Sequence, residues 1–82
     1  MLEIKVAGSG CTSCNVLEAR VKKVLEELRI EAMLMKVSDF NEMARLGILV
    51  TPGLIINGEV VSQGKLPSES TLKDWLERSE SR

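Results

Sequence analysis

The sequence predicts an α/β domain with a four-stranded mixed sheet and helices on both faces. Three observations carry that prediction. The spacing of apolar residues changes from alternation to a helical repeat across Gly8-Ser9-Gly10. The same change recurs between the apolar run 31–37 and the shorter helical stripe that follows it. Asn57-Gly58, a dipeptide suited to two-residue hairpins, then separates two further strand-like runs. The element order is β-α-β-α-β-β-α, in a single domain spanning residues 1–82. Its two β-α-β passages predict parallel strands joined by right-handed crossovers, and the hairpin adds an antiparallel pair.

Leu2 to Ala7 reads as the first strand, with Leu2, Ile4 and Val6 on one face and Glu3 and Lys5 on the other. The first helix starts at Cys11. Cys14, Leu17, Val21, Val24 or Leu25, and Leu28 form its buried stripe, and Ser9 or Gly10 is a candidate cap. Its outer face carries Glu18 with Lys22 and Lys23 with Glu27 at i, i+4 spacing, expected as a solvated face. Glu31 to Val37 is apolar on both faces, as in a strand covered on both sides, with Met33 and Met35 expected to fill core.

Ser38 or Asp39 caps a short helix that Gly47 ends, and Asp39 with Glu42 fits a capping box. Phe40, Met43 and Leu46 are its expected buried side. Leu54 to Ile56 and Glu59 to Gln63 flank the hairpin turn. Ser68 caps a final helix of about ten residues whose buried stripe is Leu72, Trp75 and Leu76, and Ser79 to Arg82 is expected to fray.

The only two cysteines, Cys11 and Cys14, lie where the first strand turns into the first helix. A C-x-x-C at that place is the sequence form of a redox dithiol. The helix N-terminus offers unpaired N–H groups and partial positive charge, which favour a thiolate. Cys14 belongs to the buried stripe and Cys11 does not. An exposed and a shielded sulfur one turn apart is the asymmetry that an attacking and a resolving thiol require. A disulfide closing so short a loop would constrain the unfolded chain little, which argues against a purely structural staple.

The net charge is −1 with no basic stripe, so nucleic acid is not an expected partner. The longest uncharged stretch, Leu46 to Asn57, is too short to span a membrane and contains Pro52 and two glycines. The start of the chain lacks the layout of a signal peptide, so a cytoplasmic location is expected, and a monomer is the expected state.

Gly8-x-Gly10-Cys11-x-x-Cys14, Thr51-Pro52-Gly53-Leu54, the Asn57-Gly58-Glu59-Val60-Val61 hairpin and Gly64-Lys65-x-Pro67-Ser68 together resemble the short archaeal and bacterial redox-active disulfide proteins of the thioredoxin-like, glutaredoxin-sized family. The resemblance covers nearly the whole chain. It implies the thioredoxin fold and a thiol–disulfide oxidoreductase without a cofactor or metal. Carried over by residue, Cys11 is the nucleophile, Cys14 the resolving thiol and Pro52 a cis-proline beside the sulfurs. Gly10, Thr12, Ser13, Thr51, Pro52 and Gly64 form the platform for a disulfide-containing substrate protein, and an unidentified reductase restores the dithiol.

The chain also departs from that family. Gly10 stands where thioredoxins carry tryptophan, and Thr12-Ser13 occupies the interior of the motif. Lys5 stands at the place of their buried aspartate, and the sequence has no histidine. The glutathione-binding Gly-Gly and acidic pair of glutaredoxins are missing around Gly64 to Ser68. A moderately activated Cys11 and a fairly reducing potential are expected. Two rivals use the same residues: a Cu(I) carrier binding through both thiolates, and a redox-inactive interaction module that keeps the fold.

Overall fold

The computed structural model describes residues 2–8, 10 and 12–80. Its elements are β1 (Leu2–Ala7), α1 (Thr12–Leu28), β2 (Ala32–Val37), α2 (Phe40–Leu46), β3 (Gly53–Ile56), β4 (Glu59–Gln63) and α3 (Glu69–Glu80). The order is the expected one. The strands form one four-stranded sheet in the order β2-β1-β3-β4.

β1 and β2 are parallel, from Leu2↔Ala32 to Ala7↔Val37. β3 is antiparallel to β1, with Gly53 opposite Ala7 and Ile56 opposite Ile4. The expectation of two parallel crossovers therefore fails at the second. The reason lies in α2, whose seven residues make a helix of about 10 Å, half the length of a six-residue strand at about 3.3 Å per residue. The chain does not return to the far end of the sheet. It re-enters beside Ala7, where β2 has just ended.

The local signals that end the elements are present. The Asp39 carboxylate caps α2, with Oδ1 accepting from the N–H groups of Asn41 (2.7 Å) and Glu42 (3.4 Å). Gly47 closes α2 in the left-handed conformation, at φ 89°. Asn57 and Gly58 both have positive φ, 51° and 82°, as the tight hairpin requires. Asn57 also ties the hairpin to β1, since its N–H donates to the Glu3 carbonyl (2.7 Å) and its Oδ1 accepts from the Glu3 N–H (3.0 Å).

The two faces of the sheet are covered unequally. Leu2, Ile4 and Val6 of β1 and Leu54 and Ile56 of β3 meet Leu17, Val21 and Val24 of α1 and Leu72 and Leu76 of α3 in the main core. The opposite face holds a smaller cluster of Ala7, Val37, Met43, Ile48 and Ile55. α2 covers only that end, and β2 is an edge strand. Met33 and Met35 are consequently 48% and 37% exposed rather than core-filling, and Phe40, at the first turn of α2, is 75% exposed rather than buried. Trp75 is half-buried against the main core rather than enclosed by it.

The outer face of α1 is not simply solvated. Glu18 accepts from Lys22 (3.4 Å) as its spacing implies, and also from Lys36 on β2 (3.3 Å). Lys23 and Glu27 reach α3 instead, Lys23 to Glu69 (3.3 Å) and Glu27 to Lys73 (2.9 Å).

Candidate active site

The chemistry-bearing residues gather at the sheet end where β1 and β2 finish. Cys14 lies in the first turn of α1, is 4% exposed, and continues the stripe of Leu17, Val21 and Val24 into the core. It stands in its disulfide-bonded form. Cys11, with Ser9, lies outside the described residues, so the expectation of an exposed nucleophile at the helix tip falls there. Thr12 and Ser13 are exposed on the same first turn, and that turn carries no acidic side chain to oppose a thiolate.

Gly8 is the backbone element against which Cys14 rests. Its N–H donates to the Val37 carbonyl (2.8 Å), fixing it to the end of β2. A Cβ at Gly8 would overlap the Cys14 Sγ and lie 2.9 Å from the Cys14 Cβ. Gly10 is exposed, with φ 85°. Cys14, Gly8, Gly10, Asn15, Lys36 and Ser38 line a recess of about 240 Å³. A larger hollow of about 710 Å³ lies at the far end of α1, beside Leu25, Arg29 and Ala32. It holds no sulfur and is remote from this chemistry.

Thr51 and Pro52 reach the same end by strand register. Gly53, which follows them, pairs with Ala7 on one side and with Gln63 on the other. The Thr51–Pro52 peptide is cis, with Thr51 exposed and Pro52 buried. The Gly64 N–H donates to the Pro52 carbonyl (2.9 Å), and Gly64 has φ 72°. Gly10, Thr12, Ser13, Thr51, Pro52 and Gly64 thus sit at one end of the sheet with Cys14.

Lys5 does not join them. It lies on the sheet face opposite α1 and pairs with Glu3 (3.7 Å). The lysine that shares the recess with Cys14 is Lys36, placed on the α1 face by its register with Val6, and its ammonium pairs with Glu18 (3.3 Å). Two contacts at the site were not foreseen from the sequence: the packing of Gly8 on Cys14 and the reach of the Gln63 carboxamide to the turn 47–50. For Gly8 the signal was available, a glycine directly after a strand. For the Gln63 carboxamide no signal in one sequence gives its partners in the turn, Gly47, Leu49 and Val50.

Residues 2–77 match the protein family described as Thioredoxin domain. The chain belongs to the thioredoxin-domain family. A protein named thioredoxin from Methanocaldococcus jannaschii is 42% identical over 76 residues, which cover 93% of this chain and 87% of that protein. A thioredoxin from Methanothermobacter thermautotrophicus is 30% identical over 76 residues, covering 93% and 99% respectively. Among solved structures, a point-mutant thioredoxin from Halobacterium salinarum NRC-1 aligns with a TM-score of 0.74 at 24% identity, over 95% of this chain and 74% of its own. A chloroplastic thioredoxin z aligns with a TM-score of 0.74 at 17% identity, over 100% and 80%. These two likenesses concern the thioredoxin fold. The family is one of thiol–disulfide oxidoreductases. Among the described residues, no helix of this thioredoxin-domain chain is long and apolar enough to cross a membrane.

Proposed function

We propose that the chain is a cytoplasmic protein disulfide reductase in which Cys11 attacks and Cys14 resolves. One observation carries the reading: a shielded Cys14, in disulfide form in the first turn of α1, shares a sheet end with the cis Thr51–Pro52 peptide. The Cys11 thiolate attacks one sulfur of a substrate disulfide, forming a mixed disulfide and expelling the other substrate sulfur as a thiolate. Cys14 then attacks the Cys11 sulfur, its proton passing to the released thiolate. The second substrate sulfur leaves and takes a proton from solvent. Two electrons have moved from the protein dithiol to the substrate, and a reductase of the host returns them. The helix N-terminus favours the attacking thiolate. Gly10, Thr12, Ser13, Thr51, Pro52 and Gly64 form the surface against which the substrate segment lies.

Equilibration with a graded dithiothreitol couple, followed by alkylation of free thiols, tests the reading. The expected result is a two-thiol transition near or below about −200 mV, where reducing members of such systems lie, lost in Cys11→Ser. Failure to form the Cys11–Cys14 disulfide under oxidising conditions, with uptake of one Cu(I) by the reduced protein, replaces the reading with a metal carrier. A Cys11→Ser protein that retains its cellular role replaces it with a redox-inactive module.

A further inference from the structure

We propose that Gln63 is a positioning residue that locks the turn 47–52, and with it Thr51–Pro52, in the arrangement a protein substrate meets. The proposal rests on the reductase reading above. β4 ends at Gln63, and its partner β3 begins at Gly53, so the six residues from Gly47 to Pro52 lie outside the sheet ladder. The Gln63 carboxamide takes over that pairing. Its Oε1 accepts from the N–H groups of Leu49 (2.8 Å) and Val50 (3.4 Å), and its Nε2 donates to the Gly47 carbonyl (3.4 Å).

The turn needs such a hold because burial does not supply one. Leu49 is 85% exposed and Val50 55% exposed, so burial of these side chains does little to anchor the backbone. Ile48 is buried, and its N–H donates to the Met43 carbonyl (2.9 Å), which fixes the entry from α2. The Gly64 N–H on the Pro52 carbonyl fixes the exit (2.9 Å). Between those two anchors, Gln63 holds the backbone of Leu49 and Val50. Val50 also packs over Gly64, where a Cβ would lie 2.8 Å from the Val50 Cγ1.

A turn held in one conformation does not have to be ordered when a substrate docks, which lowers the entropic cost of binding. A large protein substrate that lies along Thr51–Pro52 benefits from this. A small aromatic disulfide that only touches the sulfurs does not. Gln63 therefore acts on KM for protein disulfides and leaves the dithiol chemistry alone.

The test compares wild type, Gln63→Ala and Gln63→Glu. The glutamate variant keeps an acceptor for Leu49 and Val50, but sets an oxygen in place of the donor to Gly47 and adds a negative charge. Measured are steady-state reduction of insulin, reduction of 5,5′-dithiobis(2-nitrobenzoate), the dithiothreitol midpoint potential and amide hydrogen exchange. Gln63→Ala is expected to raise KM for insulin roughly tenfold, as loss of one or two net hydrogen bonds implies. Its kcat and small-disulfide rate stay within about twofold of wild type, and its midpoint potential does not shift. The Leu49 and Val50 amides exchange at least about tenfold faster, and Gln63→Glu restores part of both effects. An unchanged KM with faster exchange overturns the positioning role, and unchanged exchange overturns the clamp itself. Small-disulfide rate and insulin turnover falling together would make Gln63 a merely structural residue and also overturn it. A wild-type protein that reduces neither substrate overturns the reductase reading, an outcome visible before any variant is compared.

Discussion

Gly8→Ala is the sharpest steric test of the site. The added methyl would overlap the Cys14 Sγ and approach the Cys14 Cβ to 2.9 Å. Neither side is free to move away. Gly8 is bonded to the Val37 carbonyl (2.8 Å), and Cys14 is 4% exposed on a helix whose next buried residues, Leu17 and Val21, are fully enclosed. Overpacking of this kind costs about 1–3 kcal/mol. The loss of unfolded-state freedom on replacing glycine offsets roughly 0.4–1 kcal/mol of that. The net destabilisation centres on about 1.3 kcal/mol, which for a domain of this size lowers Tm by roughly 5–10 °C. Thermal unfolding followed by circular dichroism reads the shift directly. The loss persists after reduction by dithiothreitol, because the clash is with the Cys14 side chain in either redox state. Gly58 is the control. It needs a positive φ of 82° but a Cβ there meets nothing within 4 Å. Asparagine, which tolerates the left-handed region, is therefore milder than alanine at 58 and harsher than alanine at 8. A Gly8→Ala Tm at or above wild type, or asparagine milder than alanine at position 8, refutes the packing account.

Phe40→Ala is expected to change stability by no more than about 0.5 kcal/mol, since Phe40 is 75% exposed; a urea midpoint shift worth about 3–5 kcal/mol, the usual cost of deleting a buried phenylalanine, contradicts the exposed placement. Lys73 hydrogen-bonds Glu27 and holds its carboxyl below the ordinary 4.5, while Glu27 raises Lys73 above 10.5 by the same bond. A carboxyl whose folded value is depressed adds stability above its unfolded value and loses it as pH falls through the folded one, so a Glu27→Gln variant is expected to trail wild type in Tm at neutral pH and to converge with it in acid below about 4.5. Molar salt should shrink the neutral-pH gap, because the pair is exposed; a gap that persists unchanged in acid contradicts the assignment.

The features legible in the sequence are those whose chemistry is complete within a few residues. Asn57-Gly58 needs two consecutive positive φ angles, and those two residue types accept them at little cost. Asp39 and Gly47 mark both ends of α2 because a cap and a left-handed stop act on the adjacent backbone. Cys14 falls on the apolar stripe of α1, so its burial follows from helical spacing. Met33, Met35 and Phe40 read as core because an apolar side chain is able to be buried; whether a partner covers it depends on elements elsewhere in the chain. The same limit applied to the site. Gly8 touches Cys14 through a turn, and the Gln63 carboxamide reaches back fourteen residues to the Leu49 N–H. No periodicity registers either contact.

The misread strand direction and the misread methionines have one cause, and that cause assembles the site. A β3 parallel to β1 would place Gly53 near the Leu2 end, about 20 Å of strand away from the first turn of α1, where Cys14 lies. In the antiparallel arrangement Ala7, Gly53 and Gln63 stand side by side. The residues that leave or enter there, Gly8 and Gly10, Thr51–Pro52 and Gly64, therefore emerge together. This requires a connection from β2 that stays at one end, which the seven-residue α2 provides. A helix that short packs on Val37 and Ala7 and leaves Met33 and Met35 open. Exposure of two methionines on the edge strand is thus the structural counterpart of bringing the cis-proline turn to the end of the sheet where Cys14 lies.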